Sequence, residues 1–469
     1  MSETRCAGTF LGLLLAVALL GSTNLSAQVH RSATGIGDAL ILPYWTAAGG
    51  NDSLLSIRND SERASAIKLL WLDEQGGVAR SANLYLNARS IWTGAATDEM
   101  NPRMVHPLQA NACLLPLVLN EETEYSANVR EFSLGATRGS MEIIEMASIA
   151  LDSPLAPEGR WIDCEALAQR WSDGAWSVDA AEGLLPPAGS LSANNNLINV
   201  ALGGMNTIEA TALGGFSDVV QHTLPEVLTP DLSQAVDSDA PGGGVRSAVC
   251  EGGHCRVDEW SRPVEAVAAA LVTSAVISDY SVAPGLGADF DWLLHRPLDR
   301  YQDSVEGFSI GSSPWVSFHT RGGDRYVYCP PQVGCIPGSP PGTDETPFDS
   351  DEFLLELDAA LHVLSMSREV FGGEPISPIL GHPVELNATP FPSLSEFEGN
   401  AFDEGIVRLR FDGQDTPLVA PGGRAYVGEP VIAVGFQQFT NGGLPGGTLA
   451  NYRGTEAPRY EVTIIEPQE

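Results

Sequence analysis

The apolar stretches of this chain are short, and turn-forming residues interrupt them at close intervals. Ala39-Leu-Ile-Leu-Pro-Tyr-Trp45 is one such run. Leu54-Leu-Ser-Ile-Arg58 alternates and stops at Asn59-Asp60-Ser61. Ile67-Lys-Leu-Leu-Trp-Leu72 is closed by Gln75-Gly76-Gly77, and Leu84-Tyr-Leu86 and Met141-Glu-Ile-Ile-Glu-Met146 follow the same style. Runs of this length suit strands, and turn signals every 8–12 residues or so point to an antiparallel sandwich. Gly and Pro make up about 17% of the 469 residues, above the usual roughly 12%, which favours turns over long helices. The expected fold is mainly β: an N-terminal antiparallel, immunoglobulin-like sandwich over residues 28–150, then a larger β-rich region over 151–469 with two or three helices. The likeness to immunoglobulins is architectural only, because their Cys–Trp–Cys spacing is absent.

The later region mixes types. Cys164 to Trp171 reads as a short helix, and Asn194 to Phe216 as strands joined by tight turns. Pro263 to Tyr280 is the best helix candidate, with proline at a first helical position and Glu265 in the first turn. Its apolar residues run nearly all round, which predicts a buried helix. Residues 336–350 read as a loop or linker. A further helix is expected over 351–366, since Leu354, Leu357, Leu361 and Leu364 recur at spacings of three and four. Ile406 to Phe411, Val431 to Val434 and Tyr460 to Ile465 return to strand patterns.

Residues 1–27 read as a signal peptide. A short polar start precedes the apolar run Phe10 to Leu20, and Leu25-Ser26-Ala27 offers a cleavage site. That run is shorter than the roughly 20 residues a membrane anchor needs. The expected compartment is therefore periplasmic or extracellular, with no membrane span after cleavage. Six cysteines remain: Cys113, Cys164, Cys250, Cys255, Cys329 and Cys335. An even number in an exported chain suggests disulfides. Cys250 and Cys255 bracket Glu-Gly-Gly-His, and Cys329 and Cys335 bracket Pro-Pro-Gln-Val-Gly. If both pair locally, Cys113 and Cys164 are left for each other. Zinc is the rival reading, with His254 its one nearby candidate, but the Cys-x2-Cys spacing is missing.

The chain carries 25 Lys and Arg against 60 Asp and Glu, a net charge of −35. That balance argues against nucleic acid and against anionic membrane surfaces as partners. Lys68 is the sole lysine. Acidic, lysine-poor surfaces keep proteins soluble where salt screens self-repulsion, so a salty external habitat is expected.

The chemical motifs are weak. Gly307-Phe-Ser309-Ile-Gly311 matches the nucleophile pattern G-x-S-x-G, but no helix opens after it, as that pattern requires. His362 and His382 lie downstream in a permissible order. Asp349, Asp351 and Glu352 sit in an acidic stretch without Lys or Arg. Oxygen ligands of this kind suit calcium, although acids at a helix start have the simpler role of complementing its dipole. Asp237-Ser-Asp239 has a solvated loop as its simpler reading. Glu142 and Glu145 are three apart in a strand pattern, so they point to opposite faces and cannot share a substrate without a bulge. Trp45, Trp71 and Trp92 lie beside strand runs and are expected in the core.

Several segments together resemble an uncharacterised family of exported bacterial β-rich proteins. They are Gly37-Asp-Ala-Leu-Ile-Leu-Pro-Tyr-Trp-Thr46, Ser56 to Ser61, Ile91-Trp-Thr93, Met141 to Met146, Asn196 to Val200, Glu209 to Leu213, Asp291-Trp292 and Pro430 to Phe436. The resemblance implies an exported β-rich protein and assigns no activity, cofactor or residue role. The expected function is a secreted or cell-surface protein for structure or binding, without catalysis and with a partner at the cell surface. A hydrolase using Ser309 and a calcium-dependent binder are the alternatives.

Overall fold

The structure is a computed structural model. It describes residues 28–108, 110–116, 129–150, 153–161, 164–302, 315–320, 325–326, 353–354, 357, 359–365, 376–384, 403–411, 417–444 and 448–467. The 1–27 segment, Ser309, Cys329, Cys335, the 336–350 linker, Asp349, Asp351 and Glu352 lie outside the described residues.

The fold is mainly β, built from antiparallel sheets. A nine-stranded sheet centres on Ala39–Thr46, Arg138–Ser148 and Ser65–Asp73. A six-stranded sheet centres on Leu191–Asn199, Asp52–Asn59 and Ser90–Thr97. Leu40, Ile67, Leu69, Trp71, Leu84 and Ile143 from the first sheet meet Leu55, Ile57, Trp92, Met104 and Phe132 from the second. The alternation in Asp52–Asn59 follows from this, since Leu55 and Ile57 face the core while Leu54 stays partly exposed. Trp45, Trp71 and Trp92 are buried, as expected.

The sandwich does not end near residue 150. The strands Leu191–Asn199, Gly204–Glu209, Thr211–Gly214, Val245–Glu251 and His254–Trp260 all join its two sheets. The first strand, Gln28–Arg31, pairs in parallel with Val245–Glu251 and in antiparallel with Thr211–Gly214. Partners so far apart in sequence leave no composition change at the sheet's true limit.

The central strand Ala39–Thr46 is buried at every position. On its second face Ala39 and Ile41 share a core with Val264 to Leu271 of a helix, and Tyr44 packs with the second unit, α1 and α2 being Cys164–Ser172 and Pro263–Leu271. Burial on both faces explains why this run is continuously apolar instead of alternating. α2 is enclosed, as its all-round apolar pattern predicts. It ends at Leu271, however, and does not reach Tyr280. Val272–Thr273 and Ala275–Ser281 are strands. The Ala-rich stretch 266–270 favours helix, whereas Val272, Thr273, Val276 and Ile277 are β-branched and pair into sheets.

The helix expected over 351–366 is also corrected. Phe353–Leu354 and Leu361–Ser365 are strands. Leu361 and Val363 pack into one core and Leu364 into another. A strand sunk between two cores carries apolar residues on both faces, and here their spacing mimics a helix.

A second layered unit follows. One sheet contains Ala275–Ser281 and Glu404–Arg410, and another contains Ala288–His295, Leu361–Ser365 and Ile432–Leu444. Val276, Phe290, Trp292, Leu294, Val407 and Leu409 form the core between them. Its outer face packs on the first sandwich, where Tyr44, Leu197 and Ile208 meet Leu293, Val434 and Phe436.

Two disulfides are formed, Cys113–Cys164 and Cys250–Cys255, with Cα separations of 5.5 and 4.0 Å. The second joins directly opposed residues of a hairpin. No described helix is long and apolar enough to cross a membrane.

Candidate functional site

A groove of about 560 Å³ opens at one end of the first sandwich, within the size range of small-molecule sites. It lies where the chain leaves the strand Val78–Leu86 of the nine-stranded sheet and enters Ser90–Thr97 of the six-stranded one. Asn87, Ala88, Arg89 and Ser90 line it, together with Glu62 and Ala110–Asn111. Glu158 and Gly159 of the short 3-10 turn Pro157–Gly159, and Arg160 that follows it, complete the lining.

The backbone here is held from several sides. Ala88 N donates to Gly159 O at 2.8 Å, and Arg89 N donates to Ser61 O at 3.0 Å. Asn87 N donates to Asn111 O at 3.0 Å. The Asn87 side-chain oxygen accepts from Trp161 N at 2.8 Å, and Asn111 Nδ2 donates to Ile91 O at 2.9 Å. Within this framework Arg89 has φ 49° and Glu158 has φ 57°. Left-handed backbone at a residue with a Cβ costs on the order of 1–3 kcal/mol, and such residues cluster at functional sites. Among the described residues a third non-glycine residue with positive φ, Asp98, lies outside the groove lining.

The lining is polar and carries both signs of charge. Arg89 forms an exposed ion pair with Glu62. Among the described residues, Glu158 and Arg160 have no ion-pair partner. Among the described residues the groove lining contains no aromatic ring. Nothing in the local sequence announces this arrangement, since Asn87-Ala-Arg-Ser90 and Pro157-Glu-Gly-Arg160 meet only through the fold.

Three carboxylates of the interior, Glu142, Glu145 and Asp291, are occupied by structural bonds. Glu142 and Glu145 are both buried and turn to separate partners, as strand geometry requires. Glu142 meets Tyr301 Oη at 3.0 and 3.1 Å, with Arg300 Nη1 at 3.7 Å. Burial pushes its carboxyl up to about 7 against the pull of Arg300. Glu145 accepts from Ser65 Oγ at 2.7 Å and from Gly189 N at 2.9 Å, and burial pushes it up to about 7. Asp291, raised by burial to about 6, accepts from Ser377 Oγ and from Ile379 N.

Beside the groove, Tyr85 Oη lies 2.9 Å from His222 Nε2 and accepts from Trp171 Nε1 at 2.9 Å. Burial pushes the His222 imidazole down to about 4. Trp161 and Trp176 pack on Tyr85, and Cys113–Cys164 closes this cluster.

Asp237-Ser-Asp239 is a loop, as expected, with Ser238 and Asp239 exposed, but Asp237 turns inward. Its side chain is buried and takes two bonds from Arg246, at 2.5 and 2.8 Å. Glu142, Glu145 and Asp237 are thus brought to three separate places. His382 bonds the Pro383 carbonyl at 2.7 Å and approaches Glu74, and His362 bonds the Ala359 backbone. Among the described residues, no three His, Cys, Asp or Glu side chains converge as metal ligands. No protein-family model, no curated protein and no solved structure matches the chain.

Proposed function

We propose that this is an exported protein that acts by binding a small polar ligand at the end of its first sandwich, in a recognition or structural role at the cell surface and without a covalent step. The observation that carries this reading is the groove lined by two left-handed residues, Arg89 and Glu158. Backbone strain kept in place by a hydrogen-bonded frame costs stability, and pre-organisation of a binding surface is what it gives in return. The buried carboxylates sit in closed interiors with protein partners, where a ligand does not reach them. Export is supported by the two disulfides and by the apolar segment that precedes Gln28.

A thermal-shift screen with millimolar saccharides, amino acids, dipeptides and dicarboxylates tests the reading. One class should raise the melting temperature, since a ligand selective for the folded state stabilises it by mass action. Ala110→Trp places an indole in the groove from an exposed position, and should abolish that shift while leaving the unliganded melting temperature within about 2 °C. A shift that persists in A110W, or the absence of any shift, contradicts the proposal. Mass spectrometry of the secreted form should find Gln28 as its first residue.

A further inference from the structure

Resting on the groove as a binding site, we infer that its ligand is a small zwitterion, with a carboxylate and an ammonium on one short skeleton, as in an amino acid or a dipeptide. Glu158 and Arg160 flank Gly159 on one rigid turn, and both line the groove. The turn is fixed on both sides of Gly159. Gly159 N donates to Ala156 O at 3.0 Å, Arg160 N donates to Pro157 O at 3.1 Å, and Gly159 O accepts from Ala88 N. The two side chains therefore start from fixed points two residues apart.

Their charges restrict the ligand. Arg160 offers a planar fork of donors that matches a carboxylate. Among the described residues Arg160 has no acidic partner, so its guanidinium is available to a ligand. A purely anionic ligand would meet Glu62 and Glu158 as well as the acidic surface. A purely cationic one would meet Arg89 and Arg160. A neutral sugar would leave both charges unanswered, and the described lining has no aromatic ring on which a pyranose face stacks. A zwitterion answers both signs: its carboxylate binds Arg160 and its ammonium binds Glu158, while the Arg89–Glu62 pair and Asn111 close the polar rim.

Titration calorimetry on the full secreted chain tests the assignment with five probes: glycylglycine, N-acetylglycine, glycinamide, N-acetylglycinamide and glucose. Glycylglycine should bind at least tenfold more tightly than any of the others. Arg160→Gln and Glu158→Gln should each weaken it at least tenfold while keeping the wild-type melting temperature. Its affinity should also fall as sodium chloride rises, because exposed charge pairs are screened. If N-acetylglycine or glycinamide binds as well as glycylglycine, the zwitterion is overturned and the groove reading stands. Tight binding of glucose that A110W abolishes has the same meaning. Binding by no probe overturns the zwitterion, and the groove reading then falls only if the wider screen above is also negative.

Discussion

The hydroxyl of Tyr301 lies 3.0 and 3.1 Å from the two carboxylate oxygens of Glu142, and Leu232 N donates to both residues at 3.2 and 3.1 Å. This contact ties the central strand of the first sandwich to the segment that follows Ala288–His295 of the second unit. Arg300 reaches Glu142 and Asp231 from the same turn. A buried carboxyl so placed links folding to pH. Glu142 and Glu145 are raised to about 7 and Asp291 to about 6, each mainly by burial. The folded state therefore holds these protons more tightly than the unfolded chain. Their contribution to stability is fully present below about pH 4 and is lost as pH rises toward 7. Urea titrations from pH 4 to 8 should show that Glu142→Gln flattens the fall, by on the order of 1–3 kcal/mol across the window. A variant with the wild-type slope would remove Glu142 from this account.

Lys68 carries the opposite sign. Its ammonium is buried and donates to the carbonyls of Leu224 at 2.7 Å, Val227 at 2.9 Å and Pro225 at 3.5 Å. Burial pushes it down to about 7, with Glu226 opposing. The unfolded chain binds this proton more tightly, so stability should rise between about pH 7 and 10.5, at up to about 1.4 kcal/mol per unit. Lys68→Met should remove that rise. Amine-reactive labelling at neutral pH should leave Lys68 unmodified until the protein is denatured; rapid labelling of the native form would contradict its burial.

The disulfides should differ in weight. Cys113–Cys164 spans 51 residues and Cys250–Cys255 spans five. Loop-closure arithmetic gives about 4 kcal/mol for the first and about 2 for the second. The hairpin at Gly252-Gly253 is already zipped by the strands on either side, so its bond should contribute still less. Denaturant midpoints of the double-serine variants give the comparison. A larger loss for the Cys250/Cys255 pair would reverse this ranking.

Because the single lysine is buried, the surface carries no lysine at all against a net charge of −35. Self-repulsion on such a surface is screened by salt. The melting temperature should rise by several degrees from 20 mM to 1 M sodium chloride. A flat response would count against a salt-adapted surface.

The β-rich fold was legible because alternation in Asp52–Asn59 and continuous runs such as Ala39–Thr46 both report strands bounded by turn residues. The limits of α2 and the strand nature of Leu361–Ser365 were not, since burial on two faces erases the period that separates helix from strand. The strand period predicts that Glu142 and Glu145 turn to opposite faces, with one of them inward; both are buried because Arg138–Ser148 is covered on both faces. The groove was not, because Arg89 and Glu158 owe both their conformation and their meeting to bonds between segments about 70 residues apart.

Hydrogen–deuterium exchange of the full chain with saturating glycylglycine tests the binding account most directly. Protection should concentrate in the peptides that cover residues 87–90, 110–111 and 158–161, and should vanish in A110W. Protection confined to other segments, or equal protection in A110W, would contradict it.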